Sequence, residues 1–131
     1  MLKDRLRKIY ETGDRAAIED LYAPDALIDV NVVTWRFQRK GIEEIVDQHN
    51  SWFSRGTFTI LSSREWETPF GSVVENEQTE PGDGSGEVYA RQMHVLFTDG
   101  DKVIRHIVYC TGPWDTDTVA RQKAEAPMYE P

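Results

Sequence analysis

His106 is the residue of this chain best placed, by type and spacing, to move a proton. It lies in the run Lys102–Cys110, where Ile104, His106, Val108 and Cys110 alternate with Val103, Arg105, Ile107 and Tyr109. An imidazole titrates near neutrality, so among aliphatic neighbours it suits general acid/base work. The same position also suits a core histidine hydrogen-bonded to backbone or water. His49 shares a helical apolar face with Ile42, Ile45, Val46, Trp52 and Phe53, where it either rims a pocket or caps the core. Arg91 sits between Tyr89 and Met93 on one face of Glu87–Thr98, the face read as inward. A buried guanidinium requires a carboxylate, from a ligand or from Glu87, Asp29 or Glu11. Tyr10 and Tyr89 carry hydroxyls on apolar rings and serve either a site or packing. The candidate catalytic residues are therefore His106, His49 and Tyr10. The candidate ligand-binding residues are Arg91, Tyr89, Trp35, Met93, Val108, Phe58, Trp52 and Val30. Asp29 and Asn31, read as sharing a strand face with Trp35, form either a polar cluster in a site or a solvated edge.

Other chemistries find little support. The histidines His49, His94 and His106 form no His-x-His or His-x-x-x-His pair, so no metal site is expected. There is no phosphate loop, dinucleotide fingerprint or Gly-x-Ser-x-Gly elbow, and no cofactor is expected. Lys and Arg number 15 against 23 Asp and Glu, a net charge of −8. That field disfavours nucleic acid and anionic membrane as partners. Within residues 65–87, Glu65, Glu67, Glu75, Glu77, Glu80, Asp83 and Glu87 stand without any Lys or Arg. This stretch reads as a solvated hairpin or as an acidic docking surface. The single cysteine, Cys110, excludes an intrachain disulfide and fits a reducing compartment. The N-terminus is too charged for a signal peptide, and no apolar run reaches membrane-spanning length. A cytoplasmic protein is expected.

The elements that must position these residues follow from periodicity. Leu2, Leu6, Ile9 and Tyr10 mark a helix to about Thr12. Gly13-Asp14 then punctuates the chain, with Asp14 suited to capping a short helix through Ala17, Ile18, Leu21 and Tyr22. Pro24 ends that helix and a strand runs Leu27–Val33, with Trp35–Arg39 as its hairpin partner. Gly41 opens a third helix, with Glu43 and Glu44 in its first turn. Strands are expected at Thr57–Trp66, Val73–Thr79, Glu87–Thr98 and Lys102–Cys110, with a loose tip at Pro81–Gly86 and a tight Asp99-Gly100 turn. Residues 1–112 read as one α+β unit and 113–131 as a tail holding a short helix near Thr116–Lys123. Both faces of the last two strands carry apolar groups, whereas helices can cover only one. A homodimer through the outer sheet face is the expected arrangement.

Gly13-Asp14 through Tyr22-Ala23-Pro24-Asp25-Ala26, the Gly41 helix start and the ending Asp99-Gly100-Asp101-Lys102-Val103-Ile104 resemble the nuclear transport factor 2-like superfamily. Within it, the chain resembles the SnoaL-like and ketosteroid-isomerase-like proteins over roughly residues 1–112. The resemblance implies a cone: a curved, mostly antiparallel sheet wrapped around three helices, the cystatin-like α+β barrel, with a pocket between them. It implies a small apolar organic ligand and either a cofactor-independent lyase, isomerase or polyketide-cyclase-like activity, or binding without chemistry. It also turns the His106 face of the last strand toward that pocket. The steroid-isomerase residues do not carry over. The general base falls at Val30 and the oxyanion donors at Leu6 and Met93, none of which can perform those roles. Asp29 would serve only after a one-residue shift that alternation opposes. In scytalone dehydratase a tyrosine–aspartate pair, loosely matched by Tyr10-Glu11, works with two histidines. Their positions fall at Phe58 and near Ala90, so that likeness fails too.

Overall fold

The computed structural model describes residues 1–131 except Ser85, at the expected hairpin tip, and Pro127 and Pro131 in the tail, which lie outside the described residues. The first helix, α1 (Leu2–Thr12), buries Leu6, Ile9 and Tyr10. Gly13 ends it in the left-handed conformation (φ 64°), its N–H bonded to the Ile9 carbonyl, a conformation glycine adopts without steric cost. Asp14 caps α2 (Arg15–Leu21), its carboxylate accepting from the Ala16 N–H. The strand β1 (Tyr22–Val32) follows at once, five residues earlier than periodicity suggests. Pro24, which has no N–H to give, lies inside a register shift between Tyr22 and Leu27. Next come β2 (Trp35–Lys40), α3 (Ile42–Trp52), β3 (Thr59–Thr68), β4 (Gly71–Pro81), β5 (Glu87–Asp99), β6 (Lys102–Cys110), the short β7 (Trp114–Asp115) and α4 (Thr116–Glu125).

The strands form one sheet in the order β2-β1-β6-β5-β4-β3, with β7 pairing β5. Only the β1–β6 pairing is parallel. The sheet is curved and unclosed, and α1, α2 and α3 fill its concave side. Leu6, Ile9, Ile18, Leu21 and Ile45 from the helices meet Ile28, Val30, Val74, Leu96, Val103 and Val108 from the strands. This is the α+β architecture that the order of elements implied.

One detail of β6 corrects the reading of the sheet faces. Asp99 pairs with Lys102 and Thr98 with Val103, but Phe97 then pairs with Arg105 and Leu96 with His106. Ile104 is an extra residue in β6, a bulge, and its side chain is 42% exposed. Without the bulge, simple alternation from the turn would set His106 beside Val95, on the face of Met93 and Arg91. With it, His106 shares the concave face with Ala90, Gln92, His94 and Leu96. Tyr89, Arg91 and Met93 therefore point to the convex side, opposite to expectation. Arg91 meets its carboxylate there, 3.2 Å from Glu75, and Tyr89 donates to Glu77 and stacks on Trp114.

The convex face mixes ions and apolar groups. Asp29 is buried under Arg36, which grips it through two hydrogen bonds of 2.9 and 2.6 Å, with Gln38 at 3.3 Å and Arg105 at 3.8 Å. The Arg36 hydrogen bonds hold the Asp29 carboxyl below the usual range. The reading of Asp29 and Asn31 as one face with Trp35 is also corrected: Trp35 pairs with Val32, and Asn31 with Arg36. Trp35 lies at the open edge of the sheet, 62% exposed, against Phe37. Met93, Val95 and Ile107 are half-buried on the convex side, and Tyr109 is 58% exposed. No helix among the described residues is long and apolar enough to cross a membrane.

Candidate functional site

The concave face holds a buried hydrogen-bonded chain. Tyr22, at the start of β1, places its hydroxyl 2.7 Å from His106 Nδ1, and His106 Nε2 lies 2.7 Å from His94 Nδ1. All three side chains are almost wholly inaccessible. His106 is the partner recorded for the Tyr22 hydroxyl among the described residues. Burying an unpaired O–H donor is the costlier arrangement, so Tyr22 donates to Nδ1. His106 Nε2–H then donates to His94 Nδ1, and the remaining hydrogen of His94 sits on Nε2, which has no partner among the described residues. His49, on α3, donates from Nδ1 to the Ile45 carbonyl at 2.8 Å. Its buried Nε2 likewise lacks a partner among the described residues. The Tyr10 ring lies between these histidines, 6.2 Å from His49 and 5.8 Å from His94 by ring centres.

Burial holds these imidazoles neutral. It pushes His49 down to about 4, against a smaller opposing effect of the Ile45 carbonyl. It pushes His94 down to about 3, with His49 adding to the shift. His106 lies well below its ordinary value for the same reason, reinforced by His94 and His49.

A cavity of ≈ 320 Å³ opens beyond this chain, toward the end of the cone formed by the C-terminal ends of β1 and β6. Val30, Val32, Val33, Trp52, Phe58, Val108 and Pro113 give it apolar walls, and Glu80, Gln92 and Cys110 supply its polar side. Strand alternation explains Glu80. On β4 the residues Ser72, Val74, Asn76 and Gln78 are buried on the concave face, and Glu80 continues that row at the rim. Gln78 donates from Nε2 to Glu80 Oε2 at 2.8 Å. Burial raises the proton affinity of Glu80, and the Gln78 amide only partly opposes that shift. Gln92 hydrogen-bonds the Cys110 thiol, whose own proton affinity burial raises. The buried Gln92 Oε1 has no partner among the described residues.

Of the residues expected to bind ligand, Val30, Val108, Phe58 and Trp52 line this cavity. Arg91, Tyr89 and Met93 are on the convex face, and Trp35 is at the sheet edge. Of the catalytic candidates, Tyr10, His49 and His106 are buried behind the cavity and do not line it. Both ring nitrogens of His106 are taken up by Tyr22 and His94. Reading the residues in sequence did not single out Glu80, Gln92, His94 or Tyr22. A signal for Glu80 was present: within an acidic stretch, the face Ser72-Val74-Asn76-Gln78 is uncharged until it ends in Glu80. No group of three or more His, Cys, Asp or Glu side chains among the described residues is arranged to hold a metal ion.

No protein-family model matches the chain, and no curated protein does. Solved structures do match. One is a protein of unknown function with a cystatin-like fold from Xanthomonas campestris (TM-score 0.70, 14% identity, 90% of this chain and 92% of that one). Another is provisionally assigned as a polyketide cyclase, from Pseudomonas putida (TM-score 0.67, 14% identity, 92% and 94%). A third is a nuclear transport factor 2-like protein of unknown function from Burkholderia xenovorans (TM-score 0.62, 15% identity, 99% and 95%). The chain has the nuclear transport factor 2-like, cystatin-like fold. Its SnoaL-like structural neighbours share that architecture, at identities that speak for the fold alone.

The buried imidazoles make the fold acid-sensitive. The unfolded chain takes up protons on His49, His94 and His106 near pH 6.5, whereas the folded chain resists down to about 4 at His49 and about 3 at His94. Stability is fully present above that unfolded value and falls as pH drops below it, by about 1.4 kcal/mol per pH unit for each proton taken up on unfolding. Glu80, shifted the other way, offsets at most one proton. Urea denaturation should show net proton uptake on unfolding that rises from under one near pH 7 to about two to three near pH 5. A stability independent of pH over that interval would contradict neutral buried histidines.

Proposed function

We propose that the protein binds a small, mainly apolar organic molecule in the cavity at the open end of the cone. The observation that carries this reading is the cavity itself: its volume lies at the lower end of the range of small-molecule sites, and its apolar walls surround a few polar groups. A second reading, proton transfer on that ligand without a cofactor, as in a lyase, isomerase or cyclase, is favoured by Glu80. A carboxyl with raised proton affinity facing an apolar cavity is suited to acid/base work. His106 is not the group that would touch substrate, because its ring is saturated inside the protein. Its place in the chemistry passes to Glu80.

The neutral fluorophore N-phenyl-1-naphthylamine should bind one-to-one, and Val30→Trp, which fills the cavity, should abolish binding while leaving the circular dichroism spectrum intact. Failure of the wild type to bind it, or binding that survives Val30→Trp, would refute the site. For the catalytic reading, α-hydrogen exchange of 1-tetralone in heavy water, followed by NMR, should be accelerated by the wild type and fall about 100-fold in Glu80→Gln. Ligand binding without any acceleration would leave a binding protein.

We also propose that a second copy of the chain covers the convex face, where Met93, Val95 and Ile107 leave apolar surface beside the Asp29 ion cluster. Light scattering at micromolar concentration should give twice the chain mass, and Val95→Glu should return it to the monomer value. A wild-type monomer would rule this assembly out. The one half-buried thiol, Cys110, supports a reducing, cytoplasmic location.

A further inference from the structure

The polar side of the cavity presents acceptors to a ligand. Gln78 has spent an amide N–H on Glu80. Gln92 directs one amide N–H toward Cys110. The Gly112 N–H is directed at the same sulfur, 3.4 Å away, and Pro113 has no N–H. The Glu80 carboxylate and Gln92 Oε1, which is buried and unpartnered among the described residues, offer lone pairs to a ligand, while the side-chain donors of the wall are the Trp52 indole, the second Gln92 amide N–H and the Cys110 thiol. A ligand carboxylate would meet no cation on this wall among the described residues, whereas a donor would satisfy both acceptors.

Charge narrows the donor further. Three other partly buried carboxylates are ion-paired, while Glu65 and Glu77 accept hydrogen bonds from Ser72 and Tyr89. Asp29 has Arg36 and Arg105, Glu75 has Arg64 and Arg91, and Glu11 has Arg7. Glu80 has a neutral amide and no ion pair among the described residues. Burial raises its proton affinity, and no cation among the described residues offsets that shift. Trp52 and Phe58 add aromatic rings able to hold a cation over their faces, and the net charge of −8 attracts cations from solution.

We infer that the cavity is selective for a small organic ammonium ion, an amine with an apolar or aromatic body, its nitrogen paired with Glu80 and its body against Trp52 and Phe58. The inference rests on the reading that this cavity binds a small molecule, and it names the class of that molecule. The ammonium supplies hydrogens for the acceptors of the wall and restores the counter-charge that Glu80 lacks.

The test is an NMR titration at pH 7.5 with three compounds of matched shape: 2-phenylethylamine, 2-phenylethanol and phenylacetate. The amine should bind at least about tenfold more tightly than the alcohol, as expected for a charge-assisted hydrogen bond, and phenylacetate most weakly. Glu80→Gln, which keeps the shape, should lower amine affinity to that of the alcohol and leave the alcohol within about threefold. Equal affinities of wild-type protein for amine and alcohol would overturn the ammonium inference and leave the cavity reading standing. Amine binding unchanged in Glu80→Gln would overturn it as well. No detectable binding of amine or alcohol would overturn both.

Discussion

Strand parity at a single bulge decides what this cone contains. Side chains on a strand alternate with a period of two, so one inserted residue exchanges the faces of everything beyond it. The bulge at Ile104 brings His106 opposite Leu96 and sets the concave face of β5 as Ala90, Gln92, His94 and Leu96. The alternative parity would have set His106 beside the face of Arg91 and Met93. Arg91 inside would have required a buried carboxylate in place of Gln92. The inner chain from Tyr22 through His106 to His94 and the amide of Gln92 on the cavity wall both follow from that register. So does the Arg91–Glu75 ion pair outside.

A polar interior of this kind costs stability unless its groups are paired. The protein meets that cost with neutral rather than charged partners. Three imidazoles, two phenols and the amides of Asn76 and Gln78 sit where a purely structural core would carry aliphatic residues. Tyr22 and His106 are satisfied by one another and by His94, and Ser63 donates to the Asn76 side chain at 2.7 Å. Among the described residues, unpartnered atoms remain on His49 of α3 and on Asn76, Gln78, Gln92 and His94, the last four on the concave face of β4 and β5, the pair of strands that also carries Glu80. The amides and Glu80 thus lie along β4 and β5, while Tyr22 of β1 and His49 of α3 add polar groups from the facing elements.

The fold was legible because its signals are local. The helical stripe of α1, the Asp14 cap and the alternation of Lys102–Cys110 are properties of short segments. The apolar part of the cavity was legible for the same reason: Val30, Val108, Phe58 and Trp52 belong to strongly patterned or aromatic stretches. The polar part was not. The face that β5 turns inward depends on a bulge in another strand, which no pattern within β5 encodes, and both faces of β5 are apolar enough to pass for core. His49 and His106 were found as residues but not in their role. A histidine on an apolar face reads alike in a site and in a core, and only the partners of its nitrogens separate the two. Glu80 was hidden by its neighbours, because an acidic stretch reads as solvated when the side chains of its two faces are not separated.

Asp29 and Glu80 together show how much of the chemistry parity assigns. Both are carboxylates on strands of the same sheet, and each is removed in part from water. Asp29 falls on the convex side, where Arg36 from the neighbouring strand forks onto it and Arg105 adds a second charge, and its proton affinity falls. Glu80 falls on the concave side at the rim of an apolar cavity, where its recorded neighbour is an amide, and its proton affinity rises. The first carboxylate is complete within the chain, so its structural role accounts for its environment. The second is not, since folding takes it partly out of water and provides no charge in return. Such an arrangement is what the proposed ligand would complete. The asymmetry between these two carboxylates thus follows from the face of the sheet on which each one falls.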